Sequence, residues 1–171
     1  SDLEGDGDLD AAWISRGPLG SLLRLAAGDG AGNLTPIPAA SAVTIGDDVT
    51  DLLFHDIEGD GKLEAIVADP ANGGITWTTP AAGAEATLSS LSLDPAPRHL
   101  ALLSLAEGQL IACAGEGAIH LVRSTGTSLE LVTTIPTGLV AIDVSGADFD
   151  GDGVDDLALL GGKGRADGRG D

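Results

Sequence analysis

Three nonapeptides with one shared order of acids and glycines constrain this chain more than any other feature. They are Asp2-Leu3-Glu4-Gly5-Asp6-Gly7-Asp8-Leu9-Asp10, Asp56-Ile57-Glu58-Gly59-Asp60-Gly61-Lys62-Leu63-Glu64 and Asp148-Phe149-Asp150-Gly151-Asp152-Gly153-Val154-Asp155-Asp156. Each reads acid, x, acid, Gly, Asp, Gly, x, x, acid. A fourth, degraded copy emerges when Glu107-Gly108-Gln109-Leu110 is laid on Asp60-Gly61-Lys62-Leu63, because Ala112-Cys113-Ala114 then falls on Ala65-Ile66-Val67. The equivalent positions 6, 60, 107 and 152 recur at intervals of 45 to 54 residues. That period leaves room for about four short strands with their turns, as in a propeller blade.

The runs around the loops are short, rich in leucine or β-branched residues, and interrupted by Gly, Pro, Asn or Asp, which predicts strands and not helices. Strands are expected before the loops at Val49 to Phe54, His99 to Leu105 and Leu139 to Val144, and after them at Ala11 to Ile14, Ala65 to Ala68, Leu110 to Ala114 and Leu157 to Leu160. Others are expected at Leu22 to Ala26, Ile75 to Thr78, Ala86 to Leu93, Ile119 to Arg123 and Leu129 to Ile135. The fold class is therefore all-β: blades of four antiparallel strands, about four repeats over residues 1–160, possible parts of a larger propeller. The third unit, near residues 104–110, has lost its acids and is expected to hold no metal. From Gly161 to Asp171 no apolar side chain exceeds alanine, and this stretch is expected to be a flexible tail. A chain that opens at Ser1, directly on an acidic loop, reads as a processed product or as part of something longer.

Four or five carboxylates within nine residues repel one another, and a hard divalent cation relieves that repulsion. Calcium takes six to eight oxygens in a flexible shell, and acids at alternate positions of a tight loop converge on one point. The candidate ligands at positions 1, 3 and 5 are Asp2, Glu4 and Asp6, then Asp56, Glu58 and Asp60, then Asp148, Asp150 and Asp152. Position 6 is always glycine, as a backbone hostile to a Cβ requires. Position 7 is Asp8, Lys62 or Val154, three unrelated side chains, which points to the main-chain carbonyl as the ligand there. Position 9 is Asp10, Glu64 or Asp156, an acid able to complete the shell. An EF-hand would need a glutamate at position 12 and a helix on each side. Position 12 is Trp13, Val67 or Leu159, each inside an expected strand, so the EF-hand is excluded.

These loops and their periodic strands resemble FG-GAP or VCBS repeats, the units of integrin-alpha-like β-propellers. The family pattern Asp-x-Asp/Asn-x-Asp-Gly-x-x-Asp, followed by Leu or Ile and small apolar residues, is matched best by Asp148 to Ala158. The resemblance spans residues 2 to about 160, strongly in the loops and weakly between them. It implies calcium in the loop joining the first two strands of a blade, a role in adhesion or ligand recognition, and an extracellular or cell-surface location. The Phe-Gly and Gly-Ala-Pro signatures of the family are not evident, and about four units are fewer than its usual seven blades.

Charge narrows the partners. Twenty-seven acids against eight bases give a net charge of −19, which repels nucleic acid and anionic lipid. No apolar run approaches the roughly 20 residues that span a bilayer as a helix. The expected partner is a protein or carbohydrate on a propeller rim. Alternatives from other classes are a lectin-like or enzyme-associated propeller, and a structural assembly in which incomplete blades complete one another between chains. No catalytic constellation is evident. His55, His99 and His120 lie far apart without nucleophile or ligand partners at a recognisable spacing. Cys113, the one cysteine, reads as a small buried hydrophobe. Trp13 and Trp77 read as packing anchors, with sugar stacking as the alternative. Arg169-Gly170-Asp171 reads as a chance triplet in a Gly/Arg/Asp tail.

Overall fold

The computed structural model describes residues 2–3, 6–17, 20–36, 43–80 and 87–163. Among the described residues twelve strands fall into three antiparallel sheets, and the only helix is a 3-10 turn at Pro70–Asn72. The fold is all-β, in propeller-like blades. The first sheet holds β1 (Ala11–Gly17), β2 (Gly20–Gly28), β3 (Leu34–Pro36) and β4 (Val43–Gly46), with β3 and β4 both paired to β2. The second runs β5 (Asp51–His55), β6 (Glu64–Asp69), β7 (Gly74–Thr78) and β8 (Ser89–Ser92) in chain order. The third runs β9 (Pro97–Leu105), β10 (Gly108–Ser124), β11 (Leu129–Ala147) and β12 (Asp156–Gly162).

The second sheet lies in the middle, and its sequence shows why. Every residue of β6 and β7 is buried, because both faces of this blade are covered. Successive side chains of a strand point to opposite faces. Ala65 and Val67 accordingly join Leu23, Leu25, Ile45 and Val49 in one core, while Ile66 and Ala68 join Ile111, Cys113 and Val122 in another. Burying each such Ile, Leu or Val contributes roughly 1.5–3 kcal/mol, which is how a chain with four aromatic residues still holds together. Trp77, 7% exposed, is the one ring in the second core. Bonds between side chain and backbone stitch the second sheet to the third: Leu100 N–H donates to Asp51 Oδ2 at 2.8 Å, and the Thr50 hydroxyl donates to the Arg98 carbonyl at 2.7 Å.

The third sheet departs from the expected four short strands. The segments expected at 110–114 and 119–123 run together as β10, and those at 129–135 and 139–144 run together as β11. Gly117, with φ +82°, and Gly138, with φ +64°, bend the two strands and do not reverse them. The bends lie opposite each other, where Glu116 pairs Val140 and Ala118 pairs Pro136 across a register shift. Paired bulges of this kind curl a sheet onto itself, and Ala101, Leu103, Ala112, Ile119, Ala141 and Val144 fill the resulting half-barrel. The strand also continues into the expected tail: Gly161 pairs Ala141 and Gly162 pairs Val140. The rest of that tail, from residue 164 on, lies outside the described residues, as does the triplet at its end.

Candidate metal-binding loops

Each acidic nonapeptide leads into a strand: the first into β1, the second from β5 into β6, the third from β11 into β12. The flanking elements are strands, as the exclusion of the EF-hand required. Position 6 adopts the left-handed backbone in all three loops, with φ +93° at Gly7, +85° at Gly61 and +88° at Gly153. A Cβ there would be strained even though nothing crowds it.

The first acid of each loop organises the turn. Asp2 Oδ2 accepts from Gly7 N–H at 3.0 Å, Asp56 Oδ2 from Gly61 N–H at 2.8 Å, and Asp148 Oδ2 from Gly153 N–H at 2.9 Å. The other oxygen of Asp56 accepts from Gly59 and Asp60, and that of Asp148 from Gly151 and Asp152. The fifth-position acids Asp6, Asp60 and Asp152 accept from the N–H of Asp8, Lys62 and Val154. These are Asx turns, in which a short carboxylate closes a loop on its own backbone.

The ninth-position acid does something the sequence reading did not foresee. It reaches back seven residues to the second position: Asp10 Oδ2 accepts from Leu3 N–H, Glu64 Oε2 from Ile57 N–H at 2.8 Å, and Asp156 Oδ2 from Phe149 N–H at 3.2 Å. Glu64 is 3% exposed and also accepts from the Thr79 hydroxyl at 3.1 Å, and Asp10 Oδ1 accepts from Gly28 N–H at 2.9 Å. In the first two loops both oxygens of this acid are thus engaged as a staple across the loop mouth. The second loop is further tied to the neighbouring sheet, since the Ser124 hydroxyl donates to the Ile57 carbonyl.

The loops differ in how their charge is balanced. In the third, one carboxylate oxygen from each of Asp148, Asp150 and Asp156 lies within 4.8 Å of the others, and all three side chains are exposed. Oxygens sharing a Ca²⁺ at about 2.3–2.6 Å can be no more than about 5 Å apart, so this donor set fits the ion. No Lys or Arg among the described residues pairs with an acid of this loop. In the second loop Lys62 Nζ sits 3.0 Å from Asp60 Oδ2, holding that carboxyl below its usual range while its own ammonium is pushed up by the same contact. His55, beside this loop, is lowered by burial, against the pull of Asp56 and Glu64. Glu58 is exposed and outside these bonds, and Glu4 of the first loop lies outside the described residues. At the third unit a two-residue turn, Ala106 and Glu107, replaces the loop altogether: Leu105 pairs Gly108, whose φ is +122°.

The remaining singled-out side chains separate clearly. His120 is 1% exposed, with one ring nitrogen 2.9 Å from Thr134 Oγ1 and the other 2.8 Å from the Pro95 carbonyl, a structural bridge. Cys113 is buried, and burial pushes its thiol up to about 12. Trp13 stands 42% exposed on β1.

No curated protein matches the chain. The family description "FG-GAP-like repeat" matches residues 2–67, a stretch that holds two successive acidic loops and the first sheet between them. That match lies over strands, glycines and carboxylates whose geometry recurs in the third loop, and it shows that residues 2–67 are similar to an FG-GAP-like repeat.

Proposed function

We propose that this chain is a calcium-binding propeller repeat module of an extracellular or cell-surface protein, serving adhesion or recognition of a protein or carbohydrate ligand. The observation that carries the reading is the convergence of Asp148, Asp150 and Asp156 in a loop without a compensating cation among the described residues. When bound, a divalent cation would supply the positive charge these carboxylates lack. Asp148, Asp150 and Asp156 would hold it, with Asp152 and the Val154 carbonyl as further donors, while the Asx turns keep the loop in shape beforehand. The second loop is a weaker candidate, because Lys62 already occupies Asp60. Calcium modules outside cells bind at roughly 10⁻⁴ to 10⁻³ M, the range that exposed loops of this kind fit. No catalytic role is assigned to the acids, which serve as turns and staples.

Calorimetric titration with Ca²⁺ tests the assignment. Asp148→Asn combined with Asp150→Asn should remove one binding event and leave the fold intact by circular dichroism. Equal stoichiometry and affinity in that variant would refute it. The exposed Trp13, which pairs Arg24 across β1 and β2, favours a carbohydrate as second reading for the ligand; glycan-array binding lost on Trp13→Ala would select it.

A further inference from the structure

At the opposite end of the second sheet from its acidic loop, β6 closes on Asp69, a fully buried aspartate. Its Oδ2 accepts from Asn72 Nδ2 at 2.6 Å, and its Oδ1 has no partner. Among the described residues no Lys, Arg or His forms an ion pair with it. Elsewhere both oxygens of Glu64 and both ring nitrogens of His120 are bonded, and among the described residues the only other buried side-chain N or O without a partner is the Thr78 hydroxyl. A lone carboxylate out of water is costly unless a donor or a cation meets it.

Asp69 lines a cleft of about 300 Å³ between the first and second sheets, shared with Asn72, Thr76, Leu88 and Ser90. Room for the carboxylate exists because Gly46 of β4 carries no side chain; a Cβ there would collide with it. The cleft is too large for a bare ion and offers a single carboxylate, which is poor provision for a metal. Its walls combine one negative charge, hydroxyl and amide groups, and the aliphatic surface of Leu88, Ile75 and Leu91. That set suits a planar cation with several N–H donors on an apolar stem: two donors for the carboxylate, others for the hydroxyl oxygens, carbon against leucine and isoleucine.

We propose that this cleft binds a guanidinium group, as presented by an arginine side chain of a partner protein. The net charge of −19 draws such a partner toward the surface, and Asp69 gives it a fixed anchor. The site lies apart from the acidic loops and does not depend on their metal.

Titration of the ¹⁵N-labelled protein with butylguanidinium, and in parallel with the isosteric but uncharged butylurea, tests this in saturating Ca²⁺. Saturable shifts of the Gly46 and Ser90 amides and the Asn72 side-chain amide are expected with butylguanidinium only. Asp69→Asn and Leu88→Trp should each weaken binding by roughly tenfold or more. Leu88 is 46% exposed, so its replacement obstructs the cleft without touching the core and decides the matter if Asp69→Asn does not fold. Equal response to butylurea, shifts confined to residues 56–64 and 148–156, or undiminished binding in folded Leu88→Trp would overturn the proposal.

Discussion

The carboxylate of Glu64 accepts a hydrogen bond from the N–H of Ile57 at 2.8 Å, so the residue that ends the second acidic loop holds the one that follows its start. The same staple closes the first loop between Asp10 and Leu3 and the third between Asp156 and Phe149. Glu64→Leu removes both acceptors and leaves the buried Ile57 N–H facing an apolar side chain. Leaving a buried partner unsatisfied costs about 1–3 kcal/mol, and urea denaturation should show a loss of that size.

Lys62 competes with a cation for Asp60. Lys62→Met should therefore tighten Ca²⁺ binding at the second loop, measured by calorimetric titration in a background where Asp148→Asn and Asp150→Asn silence the third. Unchanged or weaker binding would mean that the ammonium is a bystander.

Burial disfavours the imidazolium of His55, whose folded value falls below the ordinary 6.5. The unfolded chain then binds its proton at higher pH than the folded one, so the stability this residue contributes is complete above about pH 6.5 and is lost as pH falls through the folded value. Thermal melts of the wild type and His55→Gln between pH 7.5 and 5 should show a smaller decline in the variant.

Cys113 is buried between the second and third sheets with its thiol raised to about 12. The thiolate is the reactive species, so a disulfide reagent at pH 8 should label the protein only as fast as the structure opens. Rapid labelling of the native protein, with the kinetics of a free thiol, would contradict the burial.

Local chemistry made the loops legible in sequence. Alternating acids and a glycine at position 6 act within nine residues, and the left-handed backbone of Gly7, Gly61 and Gly153 follows directly. Strand positions next to the loops were equally readable from short branched runs. The bends at Gly117 and Gly138 were not, because a glycine marks a reversal or a bulge according to which strand lies opposite, and Glu116 meets Val140 only in three dimensions. The strands β3 and β4 escaped notice for want of length, although Val43-Thr44-Ile45 is β-branched or branched throughout. The staple role of Glu64 and the buried Asp69 depend on contacts made across the loop mouth and between sheets, and single-chain spacing carries no trace of either.

The most direct measurement is a pair of calorimetric melts, one in millimolar Ca²⁺ and one in excess chelator, repeated for the Asp148→Asn, Asp150→Asn variant. Millimolar Ca²⁺ is about one to ten times the dissociation constant of such a site and adds about 0.4–1.4 kcal/mol, which for a chain of this size is a rise of roughly 1–6 °C. The account predicts such a rise in the wild type and a clearly smaller one in the variant. Identical melting temperatures with and without the ion would show that the acidic nonapeptides are self-closing turns and nothing more.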